Sequence, residues 1–575
     1  MRLASRFVLA GAVILLPASA LADAAGDCRS NFSGKRIKGC TALINAAKPG
    51  ASIAWAYDNR GEAHLADGRF EAALRDFDHA ITRDPRSAEF YVNRAAVQIE
   101  RDALDLALQD LDRAAALKGK DAEIRYVRGR VLSALGETQK AKAEYDEAIA
   151  LDPSLARAYS ARARLFVREK ELERALKDFD YAIALDPKLA GAHYGRGDVL
   201  DRQDKLDLAL RSYSKAIALD PTVALYYVDR GNLYRRQKDY VRALADFEKA
   251  IKLDEGSVDA YVGKGRTLSL LRRYRDAAGA FSVALAFDPK RANVFSRRAF
   301  ALLQLRDYAG ALRDYDMAIL IAPDDPDYVI SRGNVYVDAK DYPKAIVEYE
   351  KAMKLKPAYA RPYGSRGRAY VRLGSFDLAF ADFEKALQLD PKDEVIYFRR
   401  AYAHQRKGDL AKAIADYDRA IELDPDYAGA YNGRAEAHFL AGDRGKARAD
   451  FDKAIKLDPT HTDAFNDRAD FLMKTGDLKQ ALRDVEQAIK LDPDDAVAYV
   501  TRGEILQRQR KFDQALENYD RAISLDARLP DAFRHRGNLH RDIGDTEQAI
   551  RDYTRAAELE APATAEAPKL RQDDL

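Results

Sequence analysis

The proline that closes a 34-residue unit recurs at Pro85, Pro153, Pro187, Pro221, Pro289, Pro323, Pro357, Pro391, Pro425, Pro459 and Pro493, and every gap is 34 or 68 residues. The omitted beats fall on Gly119, Glu255, Ala527 and Ala561, so fifteen units run end to end without an insertion. A fixed period of this length restricts the fold to stacked copies of one supersecondary unit, because a single copy cannot bury its apolar face alone. With position 1 of the unit set at Ala54, position 8 is Gly or Ala in all fifteen copies, and positions 20 and 27 are Ala in all fifteen. Aromatic residues recur at position 4 (Tyr57, Tyr91, Tyr159, Tyr227, Tyr261) and position 24 (Phe77, Tyr145, Phe179, Tyr213, Phe247). This is helical spacing, with small side chains where two helices cross and large ones where they part. Triplets such as Leu151, Asp152 and Pro153 stop the second helix, since proline lacks an N–H and restrains the residue before it.

These columns resemble the tetratricopeptide repeat (TPR) family, over about nine tenths of the chain. The resemblance implies an all-α fold, a TPR superhelix (α-solenoid) of about fifteen antiparallel helix pairs, whose concave groove binds peptides or protein segments. One column departs from the family, which often has Leu at position 7; here it is Arg in fourteen units (Arg60, Arg94, Arg128 through Arg536) and Lys264 in the other. It reads either as a ladder of cations for an anionic ligand or as an internal pairing. Pairing is favoured, because position 23 on the partner helix is acidic in twelve units, from Asp76 to Asp552. An Arg stem can pack along the hairpin while its guanidinium meets that carboxylate.

The ends of the chain read differently. Residues 1–22 are expected to be a signal peptide, with Arg2 and Arg6 ahead of the uncharged stretch Phe7 to Ala22 and cleavage expected after Ala20 or Ala22. The preferred location is therefore periplasmic or secreted, with no membrane span left after cleavage. Cys28 is a poor lipoprotein site because Asp27 precedes it. Cys28 and Cys40 are the only cysteines, and in an exported chain an isolated pair reads as a disulfide, with no nearby His to make a metal site. Residues 23–53 are expected to be a disulfide-tied cap. Gly39, Leu43 and Ala46 fall on positions 20, 24 and 27 of a preceding period, which suggests an orphan second helix over residues 36–47. Trp55, the only Trp, is expected to pack on it. Residues 54–563 hold the fifteen units, and residues 564–575 read as a disordered tail.

In the family the groove is lined by positions 2, 5, 9, 12 and 13 of the first helices, the columns that vary here. Repeats 4–6 and 10–11 place Arg157, Arg164, Arg168, Arg202, Arg235, Arg236, Arg361, Arg368 and Arg372 there, with Phe398 among the apolar positions. These are either a solvated surface or basic patches that hold acidic segments of a partner between apolar anchors. The clamp by which some family members hold the acidic tails of cytosolic chaperones is absent, since the only cation at position 5 is Arg534 in the last repeat.

Nothing in the sequence reads as an enzyme, and no cofactor is implied. His64, His404, His438 and His540 share position 11, which faces the partner helix. Gly263, Lys264 and Gly265 lie inside a repeat helix and fail the context of a phosphate loop. Ninety-five basic against ninety-three acidic residues give no bulk attraction to nucleic acid. The expected function is a non-enzymatic protein–protein interaction scaffold of the bacterial cell envelope, binding partner segments in its groove. The alternative is a periplasmic module that binds a polysaccharide or another anionic ligand.

Overall fold

The structure, a computed structural model, describes residues 18–560 apart from residue 49. Residues 1–17 of the predicted signal peptide and the predicted tail at 564–575 lie outside the described residues. Among the described residues there are thirty-two α-helices and no strands. They form two compact units, one ending at Pro289 and one beginning at Lys290. The first unit holds two N-terminal helices followed by repeats 1–7, and the second holds repeats 8–15.

Repeat 10 shows why each copy folds as a hairpin. Its helices are Ala360–Arg372 and Phe376–Leu389. A Cβ on Gly367 would sit 2.7 Å from the Phe383 ring, so the small residue at position 8 lets the two helices close on the large one at position 24. Phe383, Ala379 and Ala386 are fully buried at this crossing. Gly374 ends the first helix with a left-handed backbone (φ 73°), and the same position has positive φ in every repeat. Seven repeats use glycine there, while Asp102, Lys170, Asp204, Lys238, Arg272, Arg306, Lys340 and Arg510 hold φ of 57–63°. Each of these eight carries a steric cost of roughly 1 kcal/mol. After the second helix, the Asp390 carboxylate accepts the Lys392 N–H at 3.1 Å, closing the turn around a proline that has no N–H to give.

The position 7 column is an internal pairing. All twelve acidic residues at position 23 accept hydrogen bonds from the position 7 Arg sixteen residues earlier, as in Arg60 to Asp76 (2.7 and 2.8 Å) and Arg400 to Asp416 (both 2.7 Å). Lys264 stands where position 23 is Ala280, and it pairs with Glu248 at 3.0 Å. The sequence reading missed a second partner. The remaining guanidinium nitrogen reaches back to position 25 of the preceding repeat: Arg94 to Asp78, Arg162 to Asp146, Arg434 to Asp418 and Arg468 to Asp452, at 2.6–2.7 Å. One Arg thus fastens its own hairpin and ties that hairpin to its neighbour. The inner carboxylates are buried, while the outer ones are about half exposed (Asp110 at 7% against Asp78 at 58%).

The N-terminal cap departs from the expected orphan helix. Helix α1 (Ala18–Cys28) and α2 (Ser33–Ala46) form a hairpin of their own, stacked on α3 (Ala54–Ala66), the first helix of repeat 1. Gly39 explains the close crossing, since a Cβ there would lie 2.6 Å from the Cys28 backbone nitrogen. α1 begins before both predicted cleavage positions, Ala20 and Ala22. Cys28 and Cys40 are disulfide-bonded and fully buried beneath Ala56, with Trp55 packed beside them and the Arg29 guanidinium 4.9 Å from its ring centre. Arg36 pairs with Glu62 at 2.8 Å, and Arg60 donates to Thr41 Oγ1 at 3.0 Å, so the ladder begins on the cap. Closing so short a loop stabilises the hairpin by about 3 kcal/mol. Replacing both cysteines by serine is expected to make residues 23–53 cleavable by dilute trypsin while repeats 2–15 stay protected. Unchanged cleavage would show that the bridge does not hold the cap.

Candidate binding groove

The side chains at position 5 of one first helix meet those at position 6 of the next, 35 residues further on. Asn93 donates to Asp58 at 2.9 Å, Tyr194 donates to Asp229 at 2.6 Å, and Asn432 donates to Asp467 at 2.7 Å. Burial pushes all three carboxyls up, Asp58 to about 7 and Asp229 to about 6, with Glu62 and Glu89 adding to the effect at Asp58. At Asp467 burial and the Glu436 carboxylate act together, well above the usual carboxylate range. Such a carboxyl binds its proton more tightly folded than unfolded. Its contribution to stability therefore falls as pH rises from the ordinary carboxylate pKa through the raised one.

Most of the predicted groove cations have partners. Arg157 pairs with Glu123, and Arg236 with Asp201 and Asp204. Arg361 pairs with Asp327 at 2.8 Å and Arg202 with Asp198 at 3.0 Å. Arg168 donates to the Ser133 carbonyl at 3.4 Å, Arg235 to Asn232 at 3.3 Å and Arg368 to Asn334 at 3.2 Å. Arg164 and Arg372 are exposed and make no ion pair among the described residues. The Gly263, Lys264 and Gly265 run is packing: the two glycines lie against Phe247 and Phe281. At position 11, His404 stacks on Phe380 at 4.3 Å, and burial lowers the pKa of His64, His404 and His438.

Two adjoining hollows open in the second unit. One, about 740 Å³, is walled by Glu436, Asp463, Asp467 and Asp495 together with Asn432 and Asn466. The other, about 450 Å³, is walled by Arg368, Arg372 and Arg399 with Val371 and Val395. Phe398, Tyr402, Tyr427 and Asp463 line both. Phe398 packs on Tyr427 with ring centres 5.3 Å apart. In the acidic hollow Glu436 accepts from Gln405 Nε2 at 2.9 Å, and Tyr417 donates to Gln405 Oε1 at 2.9 Å. Sequence reasoning singled out Phe398, Arg368 and Arg372 but missed Arg399, Glu436, Asn466 and Asp467. The signal was there in positions 5, 6 and 9 of successive repeats, which become neighbours only once the repeats are stacked.

Invariant columns spent on packing, beside a varied first-helix face, define a helical repeat scaffold of the kind that serves protein–protein interaction. The chain belongs to the tetratricopeptide repeat family. Models described as tetratricopeptide repeat match residues 59–122, 126–190, 161–224 and 224–257, and one described as TPR repeat matches 333–374, 367–408 and 406–442. A model described as the ETO1 C-terminal domain matches 426–572. No curated protein matches the sequence. Similar solved structures include the APC/C hetero-tetramer Cut9–Hcn1 (16% identity, TM-score 0.40, covering 85% of this chain and 97% of that one). Yeast Tom70 is 18% identical with a TM-score of 0.36, covering 88% of this chain and 96% of its own. The human IFIT1 dimer with PPP-AAAA is 18% identical with a TM-score of 0.37, covering 65% and 91%. Among the described residues no helix is long and apolar enough to cross a membrane.

Proposed function

We propose that this chain is a non-enzymatic scaffold of the bacterial cell envelope, exported by its N-terminal signal and holding segments of partner proteins on its first-helix face. The observation that carries the binding reading is the pair of hollows across repeats 10–13, where aromatic side chains separate groups of opposite charge. Apolar anchors flanked by charge suit an extended protein segment. The basic and apolar start of the sequence, with a cysteine pair joined in a disulfide, supports export. An anionic polysaccharide is the weaker reading, because Arg157, Arg236 and Arg361 already have carboxylate partners.

In-cell crosslinking of the tagged full-length protein, followed by envelope fractionation, tests this. The expected result is a stoichiometric protein partner in the envelope fraction, reduced when Arg164 and Arg372 are both changed to Glu. Retention on anionic polysaccharide with no protein partner would replace the scaffold reading with the ligand-binding one.

A further inference from the structure

The acidic hollow holds two amide oxygens without donors. Asn432 and Asn466 are each only 8% exposed and line it, yet the side-chain oxygen of each is buried without a hydrogen bond. Beside them lie Glu436 and Asp467, whose hydrogen-bond donors are the neutral amides of Gln405 and Asn432. Other charges near the pair are Asp463, Asp470 and Lys474, and Lys474 is held by Asp470 at 2.6 Å. Among the described residues these acceptors and carboxylates have no hydrogen-bonded cation, and they call for a ligand that brings positive charge and several N–H donors at once. Among the described residues no three His, Cys, Asp or Glu side chains are placed to hold a metal ion, which favours an organic cation.

The neighbouring hollow narrows the choice. Arg368, Arg372 and Arg399 face it, and Arg399 has no hydrogen-bonded carboxylate among the described residues. A free polyamine would be repelled there. A chain with both signs of charge along its length meets both hollows.

We propose that the acidic hollow seats an arginine or lysine side chain of a partner's extended segment, while an acidic side chain further along that segment meets Arg368, Arg372 and Arg399. The proposal rests on the scaffold reading above and names the chemistry of the partner. It also fixes a spacing. Arg368 and Glu436 occupy the same position two repeats apart. Packed helices lie ~10 Å apart, so the two sites are separated by roughly 20 Å. An extended chain spans that distance in about six residues.

The test is fluorescence anisotropy on the full chain. The probe is a fluorescein-labelled peptide with paired arginines and paired glutamates, joined by a Gly/Ser spacer of matching length. A peptide of the same composition with alternating charges, and spermidine as competitor, complete the set. The split-charge peptide is expected to bind, and to bind about tenfold or more weakly to Glu436→Gln/Asp467→Asn. Those amides keep the shape and remove buried charge, so the melting temperature should hold or rise. Arg372→Glu, an exposed change that leaves packing alone, should weaken the split-charge peptide without weakening an arginine-only peptide. No binding, equal binding of the alternating peptide, or equal binding by the double amide variant would overturn the proposal. So would spermidine competing as well as the peptide, which would mark a polyamine site. If Glu436→Gln/Asp467→Asn still captures the in-cell partner in full, this assignment fails and the scaffold stands. Failure of the wild type to capture any partner would sink the scaffold itself.

Discussion

An Arg468→Met variant is expected to lose about 3–5 kcal/mol of local stability, because it leaves a buried carboxylate without its cation. Arg468 donates to Asp484 at 2.7 and 2.9 Å and to Asp452 at 2.7 Å. The Asp484 side chain is 4% exposed, and it also accepts from Gln480 at 2.8 Å. Asp452 is 49% exposed, so water replaces its lost partner at little cost, and Asp452→Asn should change stability by less than about 1 kcal/mol. Changing both members, Arg468→Met with Asp484→Leu, should recover most of the loss. A long repeat array does not unfold in one step, so the measurement is hydrogen exchange of the amides in Thr462–Thr475 and Leu478–Leu491. Exchange in Arg468→Met no faster than in Asp452→Asn would refute the ladder as a source of stability.

The second large effect is steric. A Cβ at Gly503 would lie 2.5 Å from Tyr519 Cε1 and 2.8 Å from Cδ1. Tyr519 is fully buried and its hydroxyl donates to Gln507 at 2.9 Å, so the ring is held at both ends. Gly503→Val is expected to cost about 3 kcal/mol by overpacking, despite replacing a helix-interior glycine. Tyr519→Leu added to it should restore part of the loss, as at repeats 2 and 13, where Ala95 faces Leu111 and Ala469 faces Val485. Hydrogen exchange of the amides in Ala496–Arg508 and Phe512–Leu525 in the two variants decides the matter. Exchange in Gly503→Val no faster than in the wild type would mean the position 8 column is not set by ring contact.

The packing could be read in advance because each packing residue repeats in phase. Position 7 against position 23 lies within one hairpin, so the period exposes it directly, whereas the large residue at position 24, expected where the helices part, fills the crossing opposite position 8. What stayed hidden crosses between repeats. The acid at position 25 recurs as regularly as the one at position 23, but its cation belongs to the following repeat. The groove was harder, because its chemistry resides in columns that do not repeat. Glu436, Asn466 and Asp467 look like unremarkable helix residues until stacking sets one first helix beside the next. The same limit explains the basic patches, since Arg157 and Arg361 find their carboxylates about one period earlier, at Glu123 and Asp327. The cap was half legible. Its second helix keeps the repeat's phase, whereas α1 begins inside the stretch read as a signal peptide.

The two classes of carboxylate in the ladder have a consequence for how such a chain can change length. Each deeply buried carboxylate of the ladder finds its counterion inside its own hairpin, as Asp76, Asp178 and Asp484 do. The ladder's ties to neighbours use half-exposed groups such as Asp78, Asp146 and Asp452, which water can satisfy. As far as the ladder is concerned, a hairpin can therefore be gained, lost or parted from its neighbour in whole periods without stranding one of its charges in the interior. Within the ladder the unit that repeats is also the unit that is electrically complete, and that makes growth by whole periods tolerable to the fold.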